Sequence, residues 1–106
     1  MNDWIDVVKL DEFKLHTWRL IPLEDTTLLV VNLPQGVFAI EDICTHDGGT
    51  LSDGDLEGCE MICPRHGARF DVTSGQVTAP PAYESVKTFP VQIENGMVQV
   101  RDDRFD

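Results

Sequence analysis

Positive charge, cysteine and long apolar runs are all scarce in this chain, and each scarcity excludes something. Only 8 of its 106 residues are Lys or Arg against 19 Asp and Glu, a formal net charge of −11. A surface so acidic repels nucleic acid and anionic membranes and favours basic partners. The apolar run Leu28-Leu29-Val30-Val31 spans four residues, whereas a membrane-spanning helix needs about 20. The opening residues Met1-Asn2-Asp3-Trp4 carry neither a basic segment nor an apolar one, so no secretory signal and a cytoplasmic location are expected. There are three cysteines, Cys44, Cys59 and Cys63. Nothing in the sequence reads as a long amphipathic helix, an internal repeat or a low-complexity linker, and the length fits one domain, residues 1–106.

What the chain does contain is a succession of short β-type runs. Apolar residues alternate over residues 4–10, and further runs cover 13–21 and 27–33, parted by the turn-forming Pro22-Leu23-Glu24-Asp25-Thr26. Pro34-Gln35-Gly36 makes a tight reversal into a run over 37–40, and these four form an antiparallel meander. Residues 58–62 read as a strand leading into Cys63, which by the period of two puts Cys59 and Cys63 on one face. Another strand over 68–72 turns at Thr73-Ser74-Gly75-Gln76 into 77–79 and then Pro80-Pro81. Alternation resumes at Val86, and Asn95-Gly96 is the strongest short hairpin signal, returning the chain over 97–100. The tail, 101–106, is charged and expected to be solvated or frayed. The fold class is all-β. Ser52-Asp53-Gly54-Asp55 marks a turn rather than a calcium loop, because the repeated acidic ligands of such a loop are missing.

The chemistry concentrates between Cys44 and His66. Cys44-Thr45-His46 is followed, sixteen residues later, by Cys63-Pro64-Arg65-His66. Two thiolates and two imidazoles suit zinc or an iron–sulfur cluster. Mononuclear zinc sites usually pair Cys with Cys or His with His, whereas each pair here is mixed. Mixed pairs fit two loops that each give a cysteine to one iron and a histidine to its neighbour, the arrangement in which two histidines replace two cysteines on one iron. Cys44-Thr45-His46-Asp47-Gly48-Gly49 and Cys63-Pro64-Arg65-His66-Gly67 resemble the two cluster loops of the Rieske family, and Pro80-Pro81 resembles its third, covering loop. The resemblance is narrower still to the small Rieske ferredoxins of multicomponent oxygenases. Diproline is stiff and offers no backbone donor, which suits a screen over a cluster.

The resemblance implies a Rieske fold: an antiparallel β-sandwich-like base from about residues 1–40 and 83–106, with a small cluster-binding subdomain inserted at about 41–82. It implies one [2Fe–2S] cluster on Cys44, His46, Cys63 and His66, leaving Cys59 as a small structural residue without a disulfide partner. His16 is then a half-exposed strand residue, and Trp4 and Trp18 are core or rim aromatics. The implied function is that of a monomeric one-electron carrier, not an enzyme. It would take electrons from a flavin-containing NAD(P)H-dependent reductase and pass them to a terminal Rieske non-haem iron oxygenase of aromatic hydrocarbon catabolism. Two other readings are a Rieske-like small subunit of a redox complex such as assimilatory nitrite reductase, and a structural zinc-binding module.

Departures from the respiratory branch of the family bear on potential. Gly49 and Arg65 stand where that branch has an extra pair of disulfide-bonded cysteines, and Ala68 and Phe70 stand where it has a serine and a tyrosine that donate to cluster sulfurs. Fewer donors favour the reduced state less, so a potential toward the low end of the family's range, roughly −150 to +300 mV, is expected. Backbone N–H groups beside Gly48-Gly49 act the other way. Asp42 and Asp47, if close to the cluster, push the potential down, whereas a screened Arg65 is expected to matter for docking more than for potential.

Overall fold

The computed structural model describes residues 3–106, and its strands follow the short β-type runs of the sequence closely. In chain order these are β1 (Ile5–Lys9), β2 (Thr17–Pro22), β3 (Thr27–Leu33), β4 (Gly36–Glu41), β5 (Asp55–Glu57), β6 (Glu60–Ile62), β7 (Arg69–Asp71), β8 (Val77–Ala79), β9 (Thr88–Phe89), β10 (Val91–Glu94) and β11 (Met97–Val100). A 3-10 turn, Leu10–Glu12, follows β1. All pairings are antiparallel, in three sheets ordered β1-β11-β10, β2-β3-β4-β9 and β5-β6-β7-β8. Among the described residues, no helix is long and apolar enough to cross a membrane.

Strand β3 explains how these sheets become one object. Successive side chains on a strand point to opposite faces, and both faces of β3 are buried. Leu28 and Val30 pack with Phe13, Ala39, Phe89, Val98 and Val100, joining the middle sheet to β11. Leu29, Val31 and Leu33 pack on the other side with Ile40, Leu51, Met61, Phe70 and the two cysteines Cys44 and Cys63. The uninterrupted Leu28-Leu29-Val30-Val31 run is thus the signature of a strand with a core on each side. Asn32, the polar residue in this run, is buried and donates from Nδ2 to the Phe13 carbonyl at 2.6 Å, so its amide is partnered.

The turns follow local chemistry where it is strong. Asn95 and Gly96 have φ of 52° and 79°, the paired left-handed conformation of a type I′ hairpin. Four expectations need correction. The first run stays out of the meander: β1 pairs with β11 in another sheet, and only β2, β3 and β4 follow one another as expected. His16 is not inside a strand: it sits at φ 62° before β2, exposed, with its N–H donating to the Asn32 carbonyl at 2.7 Å. The expected 58–62 strand begins only at Glu60, because Gly58 at φ 60° makes the turn between β5 and β6, and Cys59 belongs to that turn. The period of two therefore does not relate Cys59 to Cys63. The tail is tied down: Arg104 pairs with Asp25 and Asp102, each at 2.9 Å, while its guanidinium lies over Phe105, and Arg101 pairs with Asp106.

If β3 joins both cores, Leu29→Ala destabilises the cluster-free protein by about 2–5 kcal/mol in urea denaturation, through lost burial and an unfilled cavity. Leu20→Ala on the exposed face of β2 changes stability by no more than about 0.5 kcal/mol. Equal effects of the two substitutions would contradict the placement.

Candidate metal centre

Both cysteine–histidine loops share one backbone frame. In the first, the Cys44 N–H donates to the Gly49 carbonyl and the Gly48 N–H returns to the Cys44 carbonyl, both at 2.7 Å. In the second, the Cys63 N–H donates to the Ala68 carbonyl at 2.7 Å and the Gly67 N–H returns to the Cys63 carbonyl at 3.0 Å. The offsets from the cysteine are identical. The returning glycines are matched too, with φ of 77° and 76°, a conformation that favours glycine. The sequence spacings C-x-H and C-x-x-H conceal this equivalence, since each histidine leaves the same frame from a different step.

The frames bring the predicted side chains together. Cys44 and Cys63 are buried among the apolar residues of the second core, whereas His46 and His66 are exposed. The two imidazoles meet edge-on, with ring centroids 5.1 Å apart. A sulfur from each cysteine and a carboxylate oxygen of Asp47 lie within 4.8 Å of one another, as do donor atoms of His46, Asp47 and His66. Buried sulfurs below and imidazole edges above are a donor set that fits a [2Fe–2S] cluster with two thiolate and two imidazole ligands. His16 and Cys59 belong to neither group.

Burial pushes the Cys44 thiol up, against the pull of the His46 and Asp47 N–H groups, and the neighbouring Cys63 adds to the rise. A metal that takes it as thiolate therefore displaces a proton. Burial raises the Cys59 thiol as well, with Asp71 adding to the effect, which suits an inert residue. Ala68 and Phe70 are fully buried and bring no hydroxyl to the site.

Two latches hold the first loop. Asp42, buried at the end of β4, accepts from the N–H groups of Leu51 and Ser52 at 2.9 and 2.8 Å and from the Ser52 hydroxyl at 2.7 Å. Its carboxylate thus pins the loop's exit to its entry. The Thr45 hydroxyl donates to the Glu84 carbonyl at 2.7 Å, fastening the segment after Pro80-Pro81 to the loop. The Pro80–Pro81 peptide is cis.

Arg65 is exposed, as expected, and also makes contacts that the sequence does not show. Its Nε lies 2.6 Å from Asp47 Oδ2, and its Nη2 reaches Asp47 Oδ1 at 3.3 Å, the Thr50 carbonyl at 3.4 Å and Cys63 Sγ at 3.4 Å. A guanidinium in contact with a candidate ligand sulfur is no longer only a screened surface charge. The same ion pair, helped by the Gly49 N–H, holds the Asp47 carboxyl well below the usual carboxylate range, which occupies it as a partner of Arg65.

A fold of three antiparallel sheets with paired Cys/His loops at one end defines a class, and the sequence places the chain in it. The chain belongs to the Rieske [2Fe–2S] domain family, whose model matches residues 3–90. Among relatives, it is 36% identical over 97 residues to the ferredoxin component of the naphthalene 1,2-dioxygenase system of Pseudomonas aeruginosa, covering 92% of this chain and 93% of that protein. Among solved structures, it is similar to the ferredoxin of carbazole 1,9a-dioxygenase from Nocardioides aromaticivorans IC177, with a TM-score of 0.87, 27% identity, and 94% and 98% of the two chains covered. It also superposes, with a TM-score of 0.89 and 29% identity over 95% of this chain and 94% of the other, on a chain in a complex of reduced oxygenase and oxidised ferredoxin of carbazole 1,9a-dioxygenase.

Removing the Asp42 carboxylate leaves the Leu51 and Ser52 N–H groups without their acceptor. Each orphaned donor costs about 1–3 kcal/mol, so Asp42→Ala should lower the melting temperature by more than about 10 °C. A shift within about 2 °C would contradict the latch.

Proposed function

We propose that this Rieske ferredoxin is the one-electron carrier of a multicomponent aromatic-ring oxygenase, with its [2Fe–2S] cluster held by Cys44, His46, Cys63 and His66. The observation that carries the reading is the convergence of two buried sulfurs and two exposed imidazoles on loops of identical backbone frame. The bound cluster supplies storage of a single electron. The protein supplies the rest: apolar packing shields the sulfurs, and the exposed edges of His46 and His66 give a short path to a partner.

The donor is a flavin-containing NAD(P)H-dependent reductase and the acceptor a terminal Rieske non-haem iron oxygenase. The ferredoxin names of its relatives support this chain of transfer. The carrier is monomeric and cytoplasmic, and the net charge of −11 favours docking on basic patches. Residues 41–82 form the cluster-binding unit, inserted in a base built from 1–40 and 83–106. The pairing of β5 to β8 among themselves supports that division. Because Ala68 and Phe70 offer no hydroxyl donor, the potential lies near the low end of the range, roughly −150 mV.

Mixing the purified protein with an oxygenase-system flavoprotein reductase and NADH should reduce it in a single one-electron step, and adding the terminal oxygenase should reoxidise it. Failure of both transfers would overturn the reading. A midpoint potential well above zero would contradict the low-potential assignment. Alanine at Cys44, His46, Cys63 or His66 should abolish the cluster spectrum, whereas Cys59→Ala and His16→Ala should retain it in full. Loss of the spectrum in either of the last two would contradict the ligand set.

A further inference from the structure

Arg65 bonds to both loops at once. It leaves the second loop one residue before His66, yet its guanidinium meets Asp47 and the Thr50 carbonyl of the first loop and turns Nη2 back to Cys63 Sγ. The seat for this group is Gly49. A methyl group built there would lie 2.0 Å from Nη2 and 2.2 Å from Cζ of Arg65. Gly49 has no left-handed backbone conformation that would itself require glycine, and the guanidinium is what a side chain there would displace. Asp47 is held in turn, its Oδ1 accepting from the Gly49 N–H at 2.9 Å. Seat, anchor and cation form one unit across the gap between the loops.

We infer that Arg65 is a positioning residue, a non-covalent strut that fixes the spacing of the two ligand loops and donates a hydrogen bond to Cys63 Sγ. The inference rests on the proposed ligation of the cluster by these loops. Two consequences follow. A partly exposed ion pair alone adds little, but a planar fork seated between two loops restricts their separation, which slows escape of anything both hold. A cationic donor to a ligand sulfur also stabilises the extra negative charge of the reduced state, so Arg65 raises the potential relative to the same site without it.

The test compares Arg65→Gln, Arg65→Lys, Gly49→Ala and the double variant R65Q/G49A, reading cluster bleaching in a strong chelator and the midpoint potential. Gly49→Ala is the informative change, because it expels the guanidinium while leaving its charge in the protein. Arg65→Gln, Arg65→Lys and Gly49→Ala should each speed bleaching roughly 5–30-fold and lower the reduced-to-oxidised ratio at fixed potential about fivefold, the scale of one ordinary hydrogen bond lost. The double variant should be no worse than Arg65→Gln. Wild-type behaviour of Gly49→Ala, or full rescue by Arg65→Lys, would reduce Arg65 to a surface charge and overturn the inference. Should Gly49→Ala not fold, Asp47→Asn takes its place, and unchanged bleaching and potential in that variant would likewise overturn it. If the wild-type protein holds no cluster, the ligation reading and the sulfur contact fail together. The strut still stands or falls on whether R65Q and G49A lower the melting temperature of the metal-free protein non-additively.

Discussion

The site depends on a backbone device used twice. In each loop the cysteine N–H reaches the carbonyl five residues on, and a left-handed glycine four residues on returns its own N–H to the cysteine carbonyl. Each closed ring turns its sulfur inward and leaves its histidine on the rim. Backbone bonds of this kind contribute only about 1 kcal/mol apiece, but they determine direction, and direction decides whether four side chains meet. The two rings must also be brought face to face.

That task falls to the middle sheet. The cluster loops need a floor, and β3 provides one by burying Leu29, Val31 and Leu33 under the cysteines while Leu28 and Val30 bind the opposite core. The Asp42 latch then ties the first ring to the end of β4, and Thr45 ties it to the segment after the diproline. Arg65 reaches across the remaining gap in an ion pair with Asp47, its guanidinium seated against Gly49. Non-covalent closure leaves the loops held but not locked.

Local chemistry was legible in the sequence, and tertiary geometry was not. The Asn95-Gly96 hairpin is encoded within a few residues and has the predicted form; the 27–33 run was legible as a strand, but its burial on both faces was not. His16 escaped because its left-handed turn depends on the Asn32 carbonyl across the sheet. Gly58 carried a turn signal that the apolar Met61-Ile62 pair masked. The tail looked frayed because its partners, Asp25 among them, are distant in sequence. Arg65 could not be read at all, since its direction exists only once the loops meet. The matching glycines, Gly48 and Gly67, were the one signal of the shared frame available beforehand, each placed four residues after a cysteine.

His46 and His66, exposed imidazoles beside each other at the rim, would hold the cluster through ring nitrogens. The most direct measurement is pulsed EPR of the dithionite-reduced protein grown with 15N-histidine. The account predicts a signal with an average g below that of an all-cysteine cluster, coupled to nitrogens from two inequivalent imidazoles. A signal without nitrogen coupling, or a colourless protein containing zinc, would contradict it.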